Sequence, residues 1–207
     1  MKIDRGVAVA APIAGCLWGF LDFVWIKYMP SPVGGLGNSI AVWAVAAFLF
    51  TYLHRWTMPR SIIGAVVMLV VAVPGYYVAA ALIQDDAWSN AWNTVSFVWM
   101  GLGGVAGIVF GAAGVTARRP GRWRLPALAL PAAVLLAELI IDLSRLGNPN
   151  YRTAELVEYA VILAVLAVLV TVVVGKTWRD RAGALAYAVP LSAAGYLLMI
   201  ATAFGGR

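Results

Sequence analysis

The strongest constraint in this sequence is a series of seven apolar runs, each long enough to cross a bilayer as a helix. A spanning helix needs about 20 largely apolar residues. The runs are 7–29, 36–56, 61–84, 92–117, 125–144, 154–175 and 182–204. In the whole chain 63% of residues are hydrophobic and 12% are charged, against about 45–50% and about 25% in soluble domains. The sequence therefore predicts an all-α, polytopic membrane protein, a seven-transmembrane helix bundle that forms one domain over 1–207.

The lysines and arginines give the predicted bundle a direction. In a seven-span arrangement, 11 of the 15 lie on the side of the N-terminus and four lie on the other side. Basic residues accumulate on the cytoplasmic side of membrane proteins. We therefore expect a cytoplasmic N-terminus, an external C-terminus and a multi-pass protein of the cell membrane, the bacterial inner membrane. The net charge of +6 has the same explanation and does not indicate a nucleic-acid partner.

Several kinds of site are disfavoured by the residue inventory. The single cysteine, Cys16, excludes an internal disulfide and a Cys-x-x-Cys site. The single histidine, His54, excludes a multi-histidine metal site and a histidine-based triad. The segments QDDAWSN and AELVE are poor candidates for the two acidic clusters with which diphosphate-ionising enzymes hold Mg²⁺. We therefore expect no metal and no cofactor.

Seven of the nine acidic residues fall on or near the predicted outer side. Asp22 and Glu138 are the deepest, several residues from any loop, and an aspartate at the centre of a span costs about 2.5–3.5 kcal/mol. Intramembrane carboxylates usually mark sites or proton paths. Both residues are therefore candidate catalytic acids, and Glu158 in the sixth span is a third.

A structural hydrogen bond is the alternative for both Asp22 and Glu138, for instance one between Asp22 and Lys27, Asn38 or Ser39. The remaining outer acids have simpler expected roles. Asp142 lies one turn from Arg145, so we expect an ion pair at the rim. Glu155 lies at the start of the sixth span, where an acid favours the helix dipole.

Aromatic residues gather at the same predicted depth as the acids. Trp18, Asp22 and Trp25 are spaced by four and three residues, which puts them on one helix face. The other candidate substrate-binding residues are Tyr76, Tyr77, Trp99 and Tyr159. An interfacial aromatic belt explains some of these side chains, but it does not explain an acid among them.

An acid surrounded by aromatic rings suits one kind of chemistry. A carboxyl group removed from water keeps its proton more readily and can act as a general acid. Aromatic faces stabilise a passing cation, and a dry site keeps water from quenching it. These features predict protonation-initiated cyclisation of a polyprenyl chain, starting at an alkene or an epoxide. The expected partners are a lipophilic prenylated small molecule and membrane lipid.

The same features carry a resemblance to a known enzyme group. Chain length, seven spans and isolated acids among aromatics resemble the small membrane-bound terpene cyclases of bacterial natural-product pathways, which act on prenylated indoles. The resemblance implies an acidic proton donor and aromatic cation stabilisers. The segments GLGNSIAVWAVAAFL and GYYVA also look like a family of small actinobacterial membrane proteins of unknown function.

Two other functions stay open. A small proton-coupled transporter or carrier would also use Asp22 and Glu138, as relay residues, and a purely structural membrane subunit needs no site. The inner halves of the spans carry few polar groups, which favours an enzyme over a carrier. Gly103, Gly107 and Gly111 are spaced by four residues, which we assign to close helix packing within a monomer rather than to a dimer.

The predicted direction of the chain can be tested by cysteine labelling. In a variant without Cys16, a cysteine introduced by Asn148→Cys should react with a membrane-impermeant maleimide added outside intact cells. Labelling of this position from the cytoplasmic side only would contradict the seven-span orientation.

Overall fold

The computed structural model describes residues 5–201, with side chains for 6–200, and these residues are helical with no strand among them. The α-helices are α1 Arg5–Tyr28, α2 Ile40–Leu53, α3 Met58–Gln84, α4 Thr94–Thr116, α5 Arg124–Ser144, α6 Thr153–Val174 and α7 Trp178–Ala201. Two short 3-10 helices, Val33–Asn38 and Trp88–Trp92, precede α2 and α4. The predicted all-α class is confirmed.

Six of the helices are long and apolar enough to cross a membrane: α1, α3, α4, α5, α6 and α7. They begin and end close to the runs predicted from the sequence, because turn-rich or charged segments interrupt the apolar pattern at each boundary. Their length and composition indicate a multi-pass membrane protein.

The predicted second span, 36–56, has a different form. Its helical part, α2, has 14 residues and is about 21 Å long at 1.5 Å per residue, which is short of a bilayer core of about 30 Å. Ser39 interrupts the run, since its backbone is extended and its Oγ accepts a hydrogen bond from the Val42 N–H at 3.0 Å. Serine at this position is a helix N-cap. Length alone therefore supports six spans, and the seventh stays a prediction.

The chain groups into two compact units. The first contains the residues up to Met29 together with Ala46–Arg118, and the second contains Pro30–Val45 and the residues from Arg119 onward. Helix α2 contributes residues 40–45 to the second unit and the rest of its length to the first. The single domain predicted over 1–207 stays a prediction, and the units are described one at a time.

In the first unit α1 and α4 both pack against α3, and glycines make the close approach possible. A Cβ atom on Gly75 would lie 2.8 Å from the Cys16 carbonyl oxygen, and one on Gly107 would lie 2.6 Å from the Cα of Val66. Backbones that approach so closely gain van der Waals contact where lipid supplies no hydrophobic driving force. The close packing predicted from the glycine spacing in the fourth span is confirmed within this unit.

In the second unit α5 packs against both α6 and α7. The interior consists of buried alanines and leucines, including Leu128, Leu135 and Leu163. Near the start of α5 the Arg124 guanidinium donates two hydrogen bonds to the Asp180 carboxylate. Asp180 also exchanges hydrogen bonds with Thr177 at the start of α7, which is the reciprocal arrangement of a capping box. This pair therefore joins the N-terminal ends of two helices.

The glycine contact between α3 and α4 predicts a stability difference between two matched variants. Gly107→Ala should lower the thermal unfolding midpoint in detergent, because overpacking costs about 1–3 kcal/mol and the obstructing atoms are backbone. Gly104→Ala, three residues earlier on the same helix, meets no atom within 4 Å and should leave the midpoint unchanged or raise it. Equal midpoints for the two variants would contradict this packing.

Candidate functional site

Glu138, on α5, has a carboxylate that collects three hydrogen bonds within the second unit. Its Oε2 accepts from the Ser39 hydroxyl at 2.9 Å and from the Ala41 backbone N–H at 3.0 Å. Its Oε1 accepts from the Tyr159 hydroxyl at 2.8 Å. Residues far apart in the sequence, from the start of α2, from α5 and from α6, therefore meet at one side chain.

The start of α2 provides hydrogen-bond donors for this carboxylate. Ser39 caps the helix and donates its own hydroxyl proton to Glu138, while Ala41 presents one of the first N–H groups, which have no partner within the helix. Helix N-termini carry partial positive charge and favour anions. Part of the cost of removing the Glu138 carboxylate from water is offset in this way.

Gly35 sets the position of the tyrosine. A Cβ atom at Gly35 would lie 3.2 Å from Cε2 of the Tyr159 ring, so the absent side chain leaves room for the ring. The glycine-rich segment before Ser39 therefore lies directly against the aromatic partner of Glu138.

Tyr159 has a second acceptor within reach, the Gly35 carbonyl oxygen at 3.3 Å from its hydroxyl. A hydroxyl has one proton, so it donates to ionised Glu138 at the shorter distance. When Glu138 holds a proton, its hydroxyl can donate to the Tyr159 oxygen, and Tyr159 can donate to Gly35. Both protonation states of Glu138 therefore keep their hydrogen bonds, which suits a group that gains and loses a proton.

Glu138 and Tyr159 line a cleft of about 510 Å³ in the second unit. Its other walls come from the segment before α2, from the end of α5, from the loop at 145–152 and from the start of α6. Ile40, Ile141 and Leu156 contribute apolar surface. This volume lies within the range of about 300–1,000 Å³ typical of small-molecule sites.

Ion pairs lie along the cleft. Arg145 donates to Asp142 and Arg152 donates to Glu155, each at 2.8 Å. The Arg145 guanidinium also lies over the Tyr151 ring, 5.3 Å from its centroid. The predicted ion pair between Asp142 and Arg145 is confirmed, and Glu155 lies in the first turn of α6 as expected.

Asp22 belongs to the first unit and is buried, with 8% of its surface exposed. It is close enough to Tyr76 to interact with it electrostatically. The Tyr76 ring packs edge-on against Phe23 and Tyr77, at centroid distances of 5.2 and 5.4 Å. Asp22 and this group of aromatic rings lie in the same unit, and the catalytic role predicted for Asp22 stays a prediction.

The remaining predicted site residues differ in exposure. Trp18 is half-buried, and its indole N–H is buried with no acceptor among the described residues. Trp25, Trp99 and Glu158 are exposed. The structure thus brings Glu138 together with Tyr159, and Asp22 together with Tyr76, in separate units.

Two parts of the Glu138 site were missed in the sequence. Ser39 was expected as an alternative partner of Asp22, whereas it donates to Glu138, and Gly35 was assigned no role. A serine directly before an apolar helical run is an N-cap signal, which would have placed Ser39 at the start of α2. Lys27, another of the three expected partners of Asp22, donates to Gln84 at 3.2 Å.

Comparison with known proteins identifies a family without assigning an activity. No curated protein and no solved structure matches the chain significantly. One family model, described as a family of unknown function (DUF6518), matches residues 4–203. A terpene cyclase family is not among the matches, so the cyclase resemblance stays a proposal. The match extends over nearly the whole chain, and the protein therefore belongs to the DUF6518 family of unknown function.

Proposed function

We propose that this protein is an integral-membrane terpene cyclase that starts ring formation by protonating an alkene or an epoxide of a prenylated substrate. Glu138 is the proton donor and Tyr159 is its positioning residue. The observation that carries the proposal is that Glu138 lines a cleft and has hydrogen-bond partners in both of its protonation states.

The proposed step transfers one proton from Glu138 to the substrate. The O–H bond of Glu138 breaks and its electron pair stays on the carboxylate, while the π electrons of the alkene, or a lone pair of the epoxide oxygen, bond to the proton. In an epoxide a ring C–O bond then breaks, so that either route leaves a carbocation on the substrate, which the next alkene of the chain attacks to close a ring. The carboxylate that remains is stabilised by Ser39, the Ala41 N–H and Tyr159. Donors already aimed at the developing charge lower the barrier without reorganisation. Loss of a proton from the cyclised cation completes the reaction.

The surroundings of Glu138 favour an enzyme over a channel through the unit. Toward the N-terminal end of α5, the buried residues that follow are Leu135 and Ala132, and Leu163 lies one turn beyond Tyr159 on α6. Because these side chains are apolar, they provide no path for a proton or a polar solute beyond Glu138 in this part of the described chain. Apolar packing on this side of Glu138 limits the access of water, which would otherwise quench a carbocation.

Asp22 is the alternative proton donor in this proposal, since it is buried and lies near Tyr76. With Asp22 as the donor, stabilisation of the cation by aromatic faces is proposed for residues of the same unit: Trp18, Trp25, Tyr76, Tyr77 and Trp99. Glu158 stays a third candidate acid, although its exposure disfavours it.

A proton-coupled carrier is the second candidate, and the charged lining of the cleft favours it. The pairs of Arg145 with Asp142 and of Arg152 with Glu155 would suit a polar solute better than a hydrocarbon chain. In such a carrier Glu138 would exchange a proton with each transported molecule.

The membrane arrangement proposed for either function has seven spans, with Met1 in the cytoplasm and Arg207 outside the bacterial inner membrane. Both termini lie outside the described residues. The support for this arrangement is the distribution of basic residues along the sequence.

The proposed chemistry predicts the effect of removing the acidic proton while keeping the shape of the side chain. Glu138→Gln should lower turnover of a prenylated substrate by about 10²–10⁴-fold, the usual contribution of a general acid. If Asp22 is the donor instead, Asp22→Asn should show this loss. Products of detergent-solubilised variants would be separated and measured by mass spectrometry.

Asp85→Asn is the matched control, because Asp85 is exposed in the loop after α3 and asparagine tolerates its left-handed backbone. If Asp22 is the donor, Trp18→Ala and Trp25→Ala, which change residues of the same unit, should cause smaller losses with altered product mixtures. Full activity in both amide variants would remove the protonation mechanism. A wild-type protein that moves solute across vesicle membranes without cyclising any substrate would establish the carrier instead.

A further inference from the structure

The charges along the cleft are unevenly compensated. Arg145 is paired with Asp142, and Arg152 is paired with Glu155. Glu138, by contrast, receives hydrogen bonds only from neutral groups: Ser39, the Ala41 N–H and Tyr159. Among the described residues, the ionised Glu138 therefore has no cationic partner.

When Glu138 is ionised, its end of the cleft carries a negative charge that no described cation compensates. Asp142 follows one turn later on α5 and acts on Glu138 as a like charge. Glu138 is half-buried. A carboxylate that is partly removed from water is costly even when it is hydrogen-bonded, and a cation close to it reduces that cost.

We infer that the cleft binds an organic cation, an ammonium group on an apolar chain, with Glu138 as its counter-ion. The ammonium group would lie beside the Glu138 carboxylate, and the chain would contact Ile40, Ile141 and Leu156 on the cleft wall. An anionic ligand is disfavoured, because both guanidinium groups along the cleft already have carboxylate partners.

Binding of a cation does not rest on the proposed cyclisation, although it uses the same cleft. Neutral Glu138 suits an uncharged alkene or epoxide, and ionised Glu138 suits a positive charge. A carbocation formed after proton transfer presents the same charge to Glu138 as an ammonium group. The two ideas are therefore compatible, but either one can fail alone.

The test compares two ligands of nearly equal shape. Purified full-length protein in a maltoside detergent is titrated with tritium-labelled geranyl trimethylammonium. Displacement is then measured with the unlabelled ion and with its neutral isostere, in which carbon replaces the nitrogen. We expect the wild type to bind the ammonium ion at least about tenfold more tightly than the isostere, since only the ion is attracted to Glu138. The ratio of the two affinities, ammonium ion over isostere, should fall to near unity in Glu138→Gln and stay at its wild-type value in Asp85→Asn.

Equal displacement by the two ligands in the wild type would overturn the inference, and this comparison holds even if Glu138→Gln does not fold. A full preference retained in a folded Glu138→Gln variant would overturn it as well. A protein that prefers the ammonium ion but neither cyclises nor transports would refute the proposed functions and keep this site. A protein that cyclises a prenylated substrate without preferring the ammonium ion would keep the proposed cyclase function and refute this cation site.

Discussion

The hydrogen-bonded carboxylate of Glu138 is the interaction on which the second unit depends. One side chain from α5 accepts from the Ser39 hydroxyl and from the Ala41 N–H at the start of α2, and it also accepts from the Tyr159 hydroxyl of α6. Each of these three donors has a carboxylate oxygen as its acceptor, and a buried polar group left without its partner costs about 1–3 kcal/mol. The cleft exists where these three segments meet, so its geometry follows from this one carboxylate.

The same hydrogen bonds that stabilise the fold give Glu138 its chemical capacity. Ser39 and the Ala41 N–H hold one carboxylate oxygen, and Tyr159 can turn from Glu138 to the Gly35 carbonyl. A purely structural carboxylate needs no such second acceptor. The apolar interior next to the site and the ion pairs along the cleft then determine what reaches it. We regard proton exchange at Glu138 as the feature shared by the cyclase and carrier proposals.

Much of the fold could be predicted from the sequence, because long apolar runs and their charged or turn-rich ends are local signals. The exception is the run 36–56, where one capping hydrogen bond from Ser39 shortens the helix. In the site, the burial of Asp22 and the importance of Glu138 and Tyr159 follow from acids and aromatics inside apolar runs. The contact between Glu138 and Tyr159 could not be predicted, because it depends on which faces of the helices pack together. No local pattern in a single sequence specifies this packing.

Infrared difference spectroscopy of the purified protein at acidic and alkaline pH tests the central claim, proton exchange at Glu138, most directly. We predict a C=O stretching band of a protonated carboxyl group that disappears in Glu138→Gln. The band should also shift in Tyr159→Phe, because the phenol is the direct partner of that carboxyl group. If Glu138→Gln leaves every carboxyl band of the wild type in place, Glu138 holds no exchangeable proton, and its role is confined to joining α2, α5 and α6.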